Sequence, residues 1–157
     1  MRRVTERSAI SLARAIRRGE LTAANVVEAH IEVHERFASQ INAIAADRFN
    51  DARREAALAD ERIAAAAPDE TLPALLGVPC TIKESIAVQG MPLSAGLVAR
   101  RDYRADRNAT AVQRLVDAGA IPLGVTNTSE LTLWIESNNR LYGRTSNPYD
   151  KTRTAGG

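Results

Sequence analysis

"LLGVPCTIKESIAV", residues Leu75–Val88, is where the periodicity of this chain changes from helical to extended. Val78, Cys80, Ile82 and Ile86 fall on one side of an extended chain, and Thr81, Lys83 and Ser85 on the other, the alternation of a half-buried strand. Downstream, Gln89–Arg107 holds two glycines and one proline with little periodicity, a connection long enough to be functional or disordered. "NATAVQRLVDAG" (residues 108–119) then reads as a helix with Val112, Leu115 and Val116 turned inward and Gly119 as its stop, and "AIPLGVT" (120–126) as a strand. Strand, helix and strand in that order predict a parallel crossover unit in an α/β layered domain. Leu131, Trp134 and Ile135 are spaced for one further short helix.

Upstream of the strand the chain is helical. Ser8 is placed to cap a helix that Gly19 closes. Thr22 caps a second, which gathers Val26, Val27, Ile31, Val33 and Phe37 on one side. A third should run from about Asp47 to Ala66 on a thin stripe of Phe49, Ala52, Ala56, Ala59 and Ile63, with Pro68 ending it. The predicted organisation is a helical part (1–67) followed by an α/β part (71–157).

A chain of 157 residues, 45% apolar and 25% charged, has the composition of an ordinary globular domain and can bury a core without a disulfide or metal staple. Its net charge is only +2, and its arginines alternate with acids or small residues, so nucleic acid is not an expected partner. The lone Cys80 excludes an internal disulfide and fits a reducing compartment. The basic start lacks the apolar core of a secretory signal, and no stretch approaches the roughly 20 apolar residues of a membrane span. The expected location is cytoplasmic.

His30 and His34, in "HIEVH", have the spacing that lets two histidines reach one metal from a helix face. Ile31 stands where the zinc-protease motif needs glutamate, and both histidines fall in the apolar arc, so core-lining imidazoles are expected and no metal. Cys80, on the apolar face of its strand, reads as a small buried hydrophobe. Lys83 has two readings: a solvated strand residue, or, in the company of Thr81 and Ser85 between glycine- and proline-bearing turns, part of a polar pocket. A lysine buried in such a pocket becomes a base if desolvation lowers its pKa from about 10.4 by roughly 3 units, about 4 kcal/mol against the ammonium.

"LLGVPCTIKESIAVQGMPLSAGL" followed by "AVQRLVDAGAIPLGVTNTSELTLWIESNNRLYGRTSNPYD" resembles the amidase signature family of hydrolases, with several motifs in order and at compatible spacing from the first helix onward. "MPLSAGL", "GVTNTSEL" and "ESNNRLYGRTSNPYD" are most similar to its fatty acid amide hydrolase type. The resemblance implies a large mixed sheet covered by helices and a small-molecule amide substrate, with no cofactor. It also implies a serine nucleophile, a bridging serine in a cis peptide, and a lysine. Lys83 matches the lysine of "GVPxxxKE" and would be the terminal base. Thr132, Leu133 and Trp134 match the stretch bordering the acyl-binding region, the alternative for each being a core-facing helix turn.

In the family pattern a "GGSSGG" segment follows the "NP" stretch, and of it these 157 residues contain only Gly156 and Gly157. The expectation is therefore an amino-terminal part of an amidase, incomplete in its sheet and inactive alone, whose uncovered strands could associate with further copies. Two rivals remain open on the sequence: a glutaminase-type amidotransferase subunit, and a non-catalytic remnant or binding module.

Overall fold

A computed structural model describes residues 4–156. It is a mixed α/β structure in which four of the expected helices and both expected strands form, along with strands too short for the sequence pattern to reveal. Helix α1 (Ala9–Arg17) is capped by Ser8, whose side chain accepts from Ser11 N, and the chain leaves it through Gly19 at a φ of 68°. Helix α2 (Ala23–Ile41) begins with Thr22 Oγ1 accepting from Asn25 N at 3.1 Å. Its first two free N–H groups are held by an acid distant in sequence: Asp60 accepts from Ala23 N at 2.6 Å and Ala24 N at 3.0 Å. Strand β1 (Ile44–Asp47) follows, then α3 (Phe49–Ala64), whose buried face is Phe49, Ala52, Ala56 and Ala59.

Strand β2 (Pro79–Lys83), helix α4 (Thr110–Asp117) and strand β3 (Ile121–Thr126) are the crossover unit. Ile121 N donates to Val78 O and Glu84 N to Thr126 O, pairings that advance together along both segments as in a parallel pair. The sheet order is β1-β3-β2, with β1 antiparallel to the central, almost wholly buried β3. A two-stranded antiparallel hairpin, β4 (Asn138–Asn139) with β5 (Gly143–Arg144), completes the set.

Contacts divide the chain into two units. The first takes the chain up to Val33 with Arg48–Cys80 and Gln113–Leu123, and its core is apolar: Leu12, Ile16, Val26, Val27, Ile31, Phe49 and Val78. Here Gly119 is required by its surroundings. Its φ is 88°, and a Cβ on it would lie 2.6 Å from Leu76 Cα, at the place where Leu75 N meets Ala118 O and Gly77 N meets Gly119 O. The second unit takes His34–Asp47, Thr81–Val112 and the chain from Gly124 on, and buries Glu84, Ser94, Asn127, Thr128, Ser129, Ser137, Asn139 and Thr145 beside Ile82, Val88, Met91 and Val125. Such a polar core is held by hydrogen bonds rather than by area alone.

Four expectations are corrected. Ile86 and Val116, placed on the apolar faces of their elements, are 40% and 37% exposed, because β2 ends at Lys83 and α4 buries only Val112. Val33 and Phe37, placed on the inner face of α2, are 38% and 43% exposed, because the buried stripe ends at Ile31. Gln89–Arg107 is ordered: Gly90 N donates to Ala105 O, Ala105 N to Met91 O and Leu93 N to Tyr103 O, so the long connection is a folded loop. Residues 131–135 do not form a regular helix. A single 3-10 turn spans Glu130–Thr132, with Leu131 and Thr132 both left-handed at φ 51° and 57°. Apolar spacing cannot register that change of handedness, which is uncommon for a residue bearing a Cβ and a genuine outlier for a bulky or branched one.

Candidate functional site

Lys83 ends β2, half-buried, and its carbonyl accepts from Ile86 N at 2.8 Å. Thr81, expected beside it, is exposed, and Ser85 is half-buried. The surprise is the next residue. Glu84 shares the parity of Val78, Cys80 and Ile82 and is fully buried on the face that the alternation assigns to apolar side chains. An acid at a position the alternation assigns to apolar side chains is the sequence signal for it.

Around Glu84 the second unit builds a dense polar network. Glu84 Oε1 accepts from Ser94 N (2.7 Å), Ser94 Oγ (2.6 Å) and Tyr142 Oη (2.9 Å). Ser94 Oγ also receives Gly96 N at 3.1 Å. Tyr142 is set by Asn139, whose Oδ1 accepts from Leu141 N and Tyr142 N while its Nδ2 donates to Asn127 Oδ1 and Thr128 O. Gly96, at φ 70°, lets the loop pass against this amide, since a Cβ there would stand 2.8 Å from Asn139 Cγ. Burial, with the Glu84 carboxyl beside it, holds the Tyr142 phenol above its usual range even though the bond to Ser94 pulls the other way.

Thr132, Leu133 and Trp134 do not enter a core. Thr132 is exposed, Leu133 is 78% and Trp134 67% exposed, and they continue an apolar run with Leu131 and Ile135. Leu131 N donates to Ala95 O at 2.7 Å, so the run is tied to the loop that carries Ser94. The core-facing alternative for these residues therefore gives way to an open apolar turn.

The two histidines are half-buried rather than core-lining. His30 Nδ1 lies 2.7 Å from Val26 O, one turn back along its own helix, and no group of three or more potential metal-binding side chains occurs among the described residues. In the first unit Arg48 pairs with Glu55 and donates to Pro122 O at 2.8 Å, next to Cys80. Burial pushes the Cys80 thiol up to about 11, against the pull of the Arg48 charge and with the help of Glu55. At pH 8 alkylation by iodoacetamide is thus expected to run about 100-fold slower than for a thiol at its ordinary value, since two pKa units are a hundredfold in thiolate. The folded chain prefers the thiol, so this contribution to stability is present below pH 9 and is lost as pH rises through 11. Cys80 is half-buried rather than sealed in a core, and alkylation at the rate of a free cysteine would contradict its desolvation.

No helix among the described residues is long and apolar enough to cross a membrane. Fatty-acid amide hydrolase 2-A of Danio rerio is 51% identical over 155 residues, covering 96% of this chain and 29% of its own length. Fatty-acid amide hydrolase 2 of Homo sapiens is 46% identical over 154 residues, with the same shares covered. The chain thus spans about 29% of the length of these curated relatives. Among solved structures, one described as "An unexpected vestigial protein complex reveals the evolutionary origins of an s-triazine catabolic enzyme" superposes with a TM-score of 0.88 at 33% identity, over 96% of this chain and 33% of that one. A family model described as "Amidase" matches residues 25–157, which include the strand bearing Lys83, the Glu84 network and the open turn, and by that match the chain belongs to the amidase family.

Proposed function

We propose that this chain supplies the lysine-bearing part of a serine amidohydrolase that cleaves carboxamides, fatty acyl amides among them. Lys83 acts as the terminal base. It takes a proton from the bridging serine, which deprotonates the nucleophilic serine as that oxygen attacks the amide carbonyl. The C–N bond then breaks, the amine leaves with the proton returned along the same path, and water releases the acid from the acyl-enzyme. By the family resemblance the bridging serine is the first serine of the "GGSSGG" segment and the nucleophile comes later in the pattern, while these residues hold the segment's two leading glycines.

The observation that supports an acyl substrate is the open turn. Leu131, Leu133, Trp134 and Ile135 are exposed together, and a contiguous apolar patch of this kind marks a surface that another apolar group covers. On this reading Thr132, Leu133 and Trp134 border the acyl chain.

The test compares two proteins on a long-chain acyl amide. One is the 157-residue chain alone. The other is a chimera in which it replaces the corresponding 29% of the zebrafish relative. Hydrolysis is expected from the chimera and none above the buffer rate from the chain alone. Turnover by the isolated chain, titrated to one active site per molecule, would overturn the proposed division of labour.

A further inference from the structure

Glu84 is among the largest side chains sealed completely from solvent, and its two oxygens are treated very differently. Oε1 receives three hydrogen bonds, while Oε2 is buried with no hydrogen-bond partner. Burying an unpaired carboxyl oxygen costs free energy, so the residue is a poor choice for stability alone. What it does is connect. Its own N–H is fixed to β3 through Thr126 O at 2.9 Å, one residue after Lys83. Its carboxyl grips Ser94, the neighbour of Ala95, which is itself left-handed at φ 50°. The Ala95 carbonyl holds Leu131 N at the start of the left-handed pair Leu131–Thr132. Left-handed Leu and Thr are strained and persist only where their surroundings over-determine them.

We infer that Glu84 is a positioning residue: through Ser94 and Ala95 it holds the apolar turn 131–135 in fixed register with the strand end that carries Lys83. What the turn does rests on the amide-hydrolase reading; the mechanical link does not. The link would keep the acyl-facing surface at one distance from the base, which makes Glu84 a determinant of substrate choice that touches no substrate.

The test is amide hydrogen exchange on the 157-residue chain and on its Glu84→Gln and Ser94→Ala variants. The reporters are Leu131 N, bonded to Ala95 O, and Asn127 N, bonded to Ala43 O at 2.8 Å in the same unit. A local strut loosens one of these amides, whereas general destabilisation speeds both together. The Leu131-to-Asn127 rate ratio is expected to rise about tenfold in both variants. The emission of Trp134, the chain's single tryptophan, should shift with it. An unchanged ratio would overturn the inference, and if Glu84→Gln fails to fold, Ser94→Ala decides. Failure of the function reading is a separate outcome: a chimera with no Lys83-dependent hydrolysis removes that reading while a raised ratio leaves the strut in place, and the converse result removes only the strut.

Discussion

Replacing Lys83 by alanine in the chimera is expected to lower kcat on acyl amides by two to four orders of magnitude, with KM changed by less than threefold. Positioned proton transfer contributes about 10²–10⁴ in rate. The lysine is proposed to act on the serine hydroxyls and not on the bound amide, so its loss falls on the chemical step. Lys83→Arg should not rescue the enzyme, because a guanidinium stays protonated at any pH the protein survives. The measurement is steady-state hydrolysis with active-site titration to correct for folded fraction. A loss below tenfold in kcat, or a change confined to KM, would mean that Lys83 sits on the strand end as a solvated or binding residue.

The second large effect is on stability. Asn139→Ala is expected to destabilise the chain by about 4 kcal/mol, since each buried polar group left unpaired costs about 1–3 kcal/mol. Asn139 makes four such bonds and is 8% exposed. The partners released are two donors, Leu141 N and Tyr142 N, and two acceptors, Thr128 O and Asn127 Oδ1, of which the last keeps its bond from Thr128 N. Carbonyl oxygens can find alternatives more readily than the two N–H groups, so the cost is set mainly by the turn after β4. With urea slopes of about 1–3 kcal/mol/M, the midpoint should fall by roughly 2 M. Asn139→Asp preserves both acceptor bonds and turns the donor end into an oxygen facing two oxygens, so it should cost nearly as much as alanine. A midpoint shift below about 0.5 M for either variant would show the network to be dispensable.

The helices were legible from caps or stripes: Ser8 and Thr22 cap the starts of α1 and α2, Gly19 and Gly119 follow the ends of α1 and α4, and α3, which has no side-chain cap, shows its face of Phe49 to Ala59. The crossover of β2, α4 and β3 was legible from the change of period and the length of its parts. Strand β1 was not, since four residues reading Ile-Ala-Ala-Asp carry too little alternation to stand out between two helices. The hairpin of β4 and β5 was hidden for another reason: its strands are two residues each, and side-chain bonds from Asn42, Asn127 and Asn139 hold it instead of an apolar face. Lys83 could be singled out by motif, but Glu84 could not be by charge alone, because an acid next to a lysine ordinarily reads as surface. Its burial follows from strand parity combined with distant partners at Ser94 and Tyr142, and those partners exist only once the loop has folded.

The grip of Asp60 on the first turn of α2 carries a consequence for how the polypeptide is made. Ala23 and Ala24 lie more than thirty positions ahead of the acid that completes their hydrogen bonding. A nascent chain leaving the ribosome must therefore extrude both α2 and most of α3 before the start of α2 acquires all its bonds. Until then the segment is held by Thr22 alone, a marginal nucleus that melts and re-forms until the later helix arrives.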